Sequence, residues 1–175
     1  MKKRAKIASL FGRYAIMLII GYFIGIFYTV FKPLTIYPVY FLLDIIYNIS
    51  LSGSIISIGT LEIEMINACI AGSAYFLLLA LNFSIPNTKP KKRIYALLLG
   101  FSMLLAFNIL RVFILSILLI NDFVYFEAIH MIFWYAFSIA AVVLIWILTA
   151  KIFRIKGIPF ISDFIYLKKF LIGKS

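Results

Sequence analysis

Cysteine, histidine and acidic residues are scarce in this chain. Its 175 residues contain one cysteine, one histidine and six acids, against 17 lysines and arginines. A single cysteine excludes an internal disulfide and a multi-cysteine metal site. The single histidine has no second strong ligand three or four residues after it, which argues against a haem or metal protein. We therefore expect no cofactor and no metal.

Charge of either sign is also scarce, and this sets the class of protein. Charged residues make up 13% of the chain and hydrophobic residues 65%, and the mean hydropathy is +1.13. Soluble domains are about half apolar and about a quarter charged. The sequence therefore predicts an all-α integral membrane protein, with a single membrane-embedded domain over residues 1–175.

Four apolar runs predict four transmembrane helices, since a span needs about 20 residues. A further apolar stretch, 35–48, has only about 14 residues and is interrupted by Pro38 and Asp44, so we expect an interfacial or re-entrant segment that does not cross. The four predicted spans are 14–31, 68–83, 94–120 and 128–150.

Basic residues predict which end of the bundle lies in the cytoplasm. Residues 2–13, 89–93 and 151–156 are strongly basic, and cytoplasmic loops carry an excess of Lys and Arg. Both termini are then cytoplasmic in a multi-pass protein of the cell membrane. The net charge of +11 is explained by this topology and not by a nucleic-acid partner. Residues 157–175 are expected to form an amphipathic tail on the cytoplasmic surface.

The predicted external segment before the second span has an alternating pattern. Gly59 marks a turn position, and apolar and polar residues alternate after it, which predicts a small hairpin. This hairpin either lies over the outer mouth of the bundle or is a solvated connection. The apolar face is Leu61, Ile63 and Met65, and the polar face is Thr60, Glu62 and Glu64.

One full charge, Arg111, interrupts the apolar run 95–120. An arginine within a span costs about 2.5 to 17 kcal/mol, depending on the reference, so it normally faces a polar partner or a water-filled cavity. Two interpretations follow. Arg111 either forms a structural ion pair with Asp44 or another acid, or belongs to a functional site.

Cys69 and His130 begin the second and fourth predicted spans, so the topology places both near the external face. Arg111 lies in the outer half of the bilayer and can share a pocket with them. A neighbouring cation favours the reactive thiolate of a cysteine, and arginine can also stabilise an oxyanion. His130 can accept the thiol proton and return it to a leaving amine, while Asn108, one turn before Arg111, can orient the guanidinium or add a donor.

Each of these residues also has an inert interpretation. Cys69 alone is typical of a small buried apolar residue, and His130 alone is typical of a membrane boundary. Asp122 and Glu127 are nearby acids that could orient the imidazole.

Taken together, the pattern resembles the exosortase and archaeosortase family of membrane cysteine transpeptidases. The run Asn108-Ile-Leu-Arg111-Val112 resembles the family's Asn-x-x-Arg motif, and the order Cys69, Arg111, His130 and their spacing agree over residues 55–145. Two features depart from the family. Glycine follows the cysteine by three residues instead of two, at Gly72, and the glycine often found after the histidine is missing.

The resemblance implies an enzyme at the external membrane face. It would cleave C-terminal sorting signals of secreted proteins through an acyl-enzyme on Cys69 and transfer them to an amine or lipid-linked acceptor. Substrates of the family end in a short motif, a transmembrane helix and a basic cluster. The alternative class is a non-enzymatic assembly or transport subunit, in which Arg111 lines a path or binds lipid phosphate.

Overall fold

The computed structural model describes residues 2–86, 88–155, 157 and 159–172, and 73% of the chain is helical. Eight α-helices, one π-helical turn and three short strands follow one another along the described chain. In order they are α1 (Lys2–Tyr22), α2 (Gly25–Asp44), β1 (Ser50–Ser52), β2 (Ile55–Ile58), β3 (Leu61–Glu64), α3 (Asn67–Ile70), α4 (Gly72–Phe83), α5 (Pro90–Ile120), α6 (Phe126–Ile132), the π-turn (Phe133–Phe137), α7 (Ser138–Ile152) and α8 (Ile161–Leu171).

Three helical segments of the described chain are long and apolar enough to cross a membrane. They are Gly25–Asp44, Pro90–Ile120 and the continuous Phe126–Ile152, and two shorter apolar helices are Ile7–Tyr22 and Gly72–Phe83. The prediction of a helical membrane protein is confirmed at this level.

The predicted boundaries of the first span are wrong. The helix breaks at Phe23 and Ile24, inside the predicted span 14–31, and α2 then continues to Asp44 through Pro33 and Pro38. Proline removes one backbone hydrogen bond, but membrane helices tolerate it because neighbouring groups satisfy the freed carbonyl. The predicted interfacial stretch 35–48 is therefore mostly the second half of a helix long enough to cross.

The predicted span 68–83 is also divided, by a left-handed residue. Ala71 has φ +57° and separates the single turn α3 from α4. No glycine or proline marks this position, so the hydropathy pattern runs on smoothly through the break.

Strands occupy the segment in which a hairpin is predicted. β1, β2 and β3 form one antiparallel sheet in that order, with Ser50 opposite Ser57 and Ile56 opposite Ile63. The sheet begins upstream of the predicted hairpin because β1 and the turn at Gly53 add a third strand.

The helices pack so that the bundle has two distinct ends. α2 and α5 run side by side in the same direction, since Phe31 contacts Phe101 and Thr35 contacts Asn108 further along. At one end, Arg13 Nη2 in α1 donates to the Asp163 carboxylate in α8 at 2.8 and 3.0 Å.

Asn121 Nδ2 marks the opposite end of the bundle, where it donates to the Tyr47 hydroxyl at 3.2 Å. The core between the two ends is apolar and aromatic. At its centre the rings of Phe31 and Tyr75 stack with their centroids 3.5 Å apart. α1 and α8 therefore share one end, and the sheet follows α2 at the other.

Candidate functional site

One cavity brings together the three residues that the sequence singles out. It has a volume of about 230 Å³ and lies between β3, α3, α5 and α6, and Cys69, Arg111 and His130 all line it. Its walls also include Glu62, Glu64, Met65, Val112, Phe126 and Trp134.

Arg111 is buried, with only 6% of its surface exposed, and its partners are neutral. Nη2 donates to the backbone oxygens of Ala68 at 2.9 Å and Cys69 at 3.3 Å, and Nη1 donates to Ser138 Oγ at 3.0 Å. The predicted ion pair with Asp44 is wrong, since the ion pair within the described residues is Arg13–Asp163. The buried Nε has no hydrogen-bond partner among the described residues.

Asn108 is almost completely buried, and its side chain holds the short helix α3. Its Nδ2 donates to the backbone oxygens of Cys69 at 2.9 Å and Ile70 at 3.4 Å. It therefore positions the backbone of α3, and it makes no hydrogen bond to the Arg111 guanidinium, which the sequence led us to expect.

Cys69 is half-buried in a helix of a single turn. Its N–H donates to the Ile66 oxygen at 2.9 Å. Because the backbone oxygen of Cys69 accepts from both Asn108 and Arg111, two side chains of α5 fix the position of the cysteine.

A left-handed turn follows Cys69. The residue that adopts it is Ala71, two positions after the cysteine, where the family commonly has glycine. Gly72 is needed for a different reason, since a Cβ there would lie 2.7 Å from the ring of Tyr28. Glycine thus occupies position 72, where close packing leaves no room for a side chain. Alanine occupies position 71, in a conformation that disfavours a side chain.

His130 is held by aromatic rings. Its imidazole stacks on Phe126, with centroids 5.5 Å apart, and on Trp134, with centroids 6.2 Å apart. Asp122 and Glu127 are exposed, and neither makes a hydrogen bond to His130. Neither of the two acids that could orient the imidazole contacts it in this structure.

A π-helical turn connects His130 to the Arg111 site. Ser138 Oγ donates to the Phe133 oxygen at 2.8 Å across this turn and accepts from Arg111 Nη1. Such turns are single-residue insertions that occur frequently at functional sites. Sequence reasoning missed Ser138, although a serine at position 138 within an apolar aromatic run was a visible signal.

Arg111 also borders a second cleft, on the side of α4 and α7. This cleft has a volume of about 410 Å³. Small or polar residues line much of it, namely Asn67, Ala68, Ala71, Ser73, Ala74 and Ser138.

Comparison with protein-family models, curated proteins and solved structures finds no match to this chain. The resemblance to the exosortase and archaeosortase family therefore depends on the residues quoted above. In the described part of the chain, no group of three or more His, Cys, Asp and Glu side chains could hold a metal ion.

Proposed function

We propose that this protein is a membrane cysteine peptidase or transpeptidase, with Cys69 as nucleophile, Arg111 as oxyanion stabiliser and His130 as acid and base. The observation that carries the proposal is the shared cavity. Three chemically suited side chains, each from a different helix, line one space of about 230 Å³. Nucleophile, base and oxyanion donor around one reacting atom is the arrangement that acyl transfer needs.

The first chemical step forms a thioester. Cys69 Sγ attacks the scissile carbonyl carbon while His130 takes the thiol proton, and the carbonyl oxygen becomes an oxyanion beside Arg111. The C–N bond then breaks, and His130 returns the proton to the leaving amine. In the second step an amine acceptor or water attacks the thioester, and the departing Cys69 sulfur regains a proton through His130.

Arg111 retains donors for this oxyanion. Its hydrogen bonds to Ala68, Cys69 and Ser138 leave Nε–H and one Nη1–H of the guanidinium free. A preorganised donor in a site shielded from water stabilises developing charge strongly, because no solvent has to reorganise.

The bundle supports a topology of four passes with both termini in the cytoplasm. The passes are α1–α2, α3–α4, α5, and α6–α7 with the π-turn. Arg13, Arg93 and Lys151 lie towards the end where α1 meets α8, and Asp44, Glu62, Glu64, Asp122 and Glu127 lie towards the other. The positive-inside rule then makes the basic end cytoplasmic and opens the cavity to the external face.

The substrates proposed from the resemblance are secreted proteins with a C-terminal motif, a transmembrane helix and a basic tail. Such a helix enters the bilayer beside the bundle, and the same charge rule keeps its basic tail in the cytoplasm. The scissile bond is then held near Cys69, and positioning of this kind can supply about 7–11 kcal/mol of the barrier.

The test is the length of such substrates in cells. Proteins with an apolar C-terminal segment and a basic tail should be shortened in cells with the wild-type chain and full-length in cells with Cys69→Ala. Ser102→Ala, an exposed position in α5 that lines neither cleft at Arg111, is the matched control and should leave processing unchanged. Normal shortening with Cys69→Ala would overturn the proposal.

A second candidate is a non-enzymatic subunit that binds a lipid phosphate at Arg111. The observation that favours it is a buried cation without an acidic partner among the described residues, at the edge of a cleft of about 410 Å³. Arg111→Lys separates the two candidates. Phosphate binding needs a charge and should partly survive, whereas oxyanion contacts need the planar guanidinium and should not.

A further inference from the structure

The strand β3 is an edge strand that also forms one wall of the Cys69 cavity. The described sheet has the order β1-β2-β3, so β3 pairs with β2 on one side only. Residues 62–66 line the cavity together with Cys69 and His130. An unpaired strand edge offers backbone hydrogen-bond groups to an extended peptide.

The register identifies which backbone groups of β3 are free. Met65 N–H donates to the Ser54 oxygen at 2.8 Å, so the pairing 54–65 is hydrogen-bonded. Hydrogen-bonded and non-bonded pairs alternate in an antiparallel ladder. Leu61 and Ile63 therefore point their backbone groups towards β2, and those of Glu62 and Glu64 point away from it.

The outward groups are not all occupied within the chain. The Glu64 oxygen accepts from Ile66 N–H at 3.1 Å. The N–H groups of Glu62 and Glu64 and the oxygen of Glu62 have no backbone partner among the described residues. These three groups can pair with one added strand.

The part of the cavity lining that α6 and the π-turn supply is aromatic. Phe126, His130 and Trp134 lie one helical turn apart, and the imidazole stacks on both neighbours. A peptide backbone beside β3 would thus have aromatic side chains and Cys69 within the same cavity.

The charge of β3 selects the side chains that such a peptide would carry. Glu62 and Glu64 are exposed, and residues two apart on a strand share one face. Residues directly opposite them on an added strand lie on that face too, and opposite charges in such pairs attract.

We propose that β3 binds the substrate as an added antiparallel strand and prefers basic side chains at alternate positions, opposite Glu62 and Glu64. This inference rests on the proposed peptidase function and names how its substrate is recognised. The occupant is an extended peptide of the pattern Val-Lys-Val-Lys-Val.

Binding is measured with the full-length Cys69→Ala chain in lipid nanodiscs, so that no chemistry is needed. The probe is a fluorescent Val-Lys-Val-Lys-Val peptide, compared with Val-Glu-Val-Glu-Val. We expect at least tenfold tighter binding of the lysine peptide. In an antiparallel addition the backbone N–H of the second lysine faces the free Glu62 oxygen, so N-methylation of that backbone nitrogen should abolish binding and N-methylation of a valine backbone nitrogen should not.

Three variants separate charge from backbone pairing. Reversal by Glu62→Lys with Glu64→Lys should invert the preference between the two peptides. Glu62→Gln removes charge but keeps the N–H, whereas Glu62→Pro also removes the outward N–H, which an edge strand tolerates. We expect a larger loss for proline. Asp44→Lys, a charge reversal at an exposed acid that does not line the cavity, should change nothing.

Equal binding of the peptide methylated at the second lysine would overturn antiparallel strand addition, and an unchanged preference in the double lysine variant would overturn the charge selection. These failures differ from failure of the peptidase function. Intact substrate processing in the Glu62 and Glu64 variants would overturn only the proposal that β3 binds the substrate. Peptide binding as expected, without substrate processing by the wild-type chain, would overturn only the proposed peptidase function.

Discussion

Arg111 has two physical roles that a single substitution would confuse. It holds α3 against α7 through hydrogen bonds to Ala68, Cys69 and Ser138, and in the proposed mechanism its guanidinium also stabilises the oxyanion. Loss of activity in a variant therefore needs a control that separates catalysis from support.

Arg93 supplies that control. It also donates to two backbone oxygens, those of Asn82 at 2.9 Å and Ile85 at 2.8 Å, but at the opposite end of the bundle. Lysine keeps a charge and loses the planar fork at either position. We predict that Arg111→Lys lowers processing about 100-fold or more, whereas Arg93→Lys leaves it near wild type. Equal loss in both variants, measured as the processed fraction at matched protein level, would reduce Arg111 to a structural residue.

Ala71 is strained, and its strain can be relieved. A left-handed L-residue costs about 1–2 kcal/mol, and glycine does not incur this cost. Ala71→Gly should therefore raise the unfolding free energy by about 1 kcal/mol, measured by thermal unfolding in detergent. The control Ala106→Gly, exposed in the middle of α5, should lower it by about 0.5–1 kcal/mol. Similar destabilisation by both changes would contradict the assignment of φ +57° to Ala71.

The sequence indicated the residues of the proposed active site, but not the contacts that hold those residues in position. Cys69 and His130 were visible because each is the single residue of its type, and Arg111 because it is the one full charge within an apolar run. The contacts of Asn108 with α3, the bond between Ser138 and Arg111, and the aromatic stacking of His130 depend on how helices rotate against one another. Residue type and spacing do not fix that rotation.

The π-turn Phe133–Phe137 sets the rotation of one helix pair. An inserted residue there offsets α6 from α7 by about 100°, since an α-helix has about 3.6 residues per turn. His130 lies before the turn and Ser138 after it. Their common approach to Arg111 therefore depends on this insertion.

Deletion of Ala136 tests this dependence. Ala136 is exposed, and its removal should convert the π-turn to regular α-helix. We expect processing to be lost while the helical content by circular dichroism stays unchanged, because His130 rotates away from the cavity. Ala136→Ser, which keeps the length, should retain processing. Full activity of the deletion variant would contradict the role of the turn.

Element boundaries were the least predictable part of the fold. Pro38 and Asp44 suggested a non-crossing segment, yet α2 continues through both prolines to Asp44. Conversely, α3 and α4 are separated at an alanine that no propensity rule marks. Hydropathy reports burial in lipid, and it is insensitive to single-residue breaks that tertiary packing imposes.

The whole bundle is closed at one end by a partly buried ion pair. Asp163 and Arg13 have side chains only 5% and 16% exposed, and Tyr14 adds a hydrogen bond to the carboxylate at 3.2 Å. This pair connects the helix nearest the N-terminus to α8. It is a feature of the tertiary fold, since the two residues are 150 positions apart.

A double-mutant cycle measures its strength. Arg13→Ala and Asp163→Ala should each destabilise the protein, and the coupling should be about 1.5–3 kcal/mol, the range for hydrogen bonds to charged groups. Thermal unfolding in detergent gives the free energies. Processing should remain near wild type, because the pair lies at the end of the bundle away from the cavity. If the changes in unfolding free energy of the two single variants simply add in the double variant, α1 and α8 are not connected through this pair.

At the scale of the molecule, composition alone predicted a helical membrane protein, because few soluble chains combine 65% hydrophobic with 13% charged residues. The three-stranded sheet and its place beside Cys69 were only partly indicated, by the alternation from Thr60 to Met65. That β3 is an edge beside the cavity is a property of the assembled fold.

A search for a thioester on Cys69 is the most direct test of the proposed peptidase function. The wild-type chain is purified from cells under acidic denaturing conditions, and the peptide containing Cys69 is mapped by mass spectrometry before and after neutral hydroxylamine. We predict an acyl adduct that hydroxylamine releases and that is absent in Cys69→Ala. An unmodified Cys69, together with secreted proteins of the same length in cells carrying Cys69→Ala and in cells carrying the wild-type chain, would contradict the assignment of Cys69 as the nucleophile.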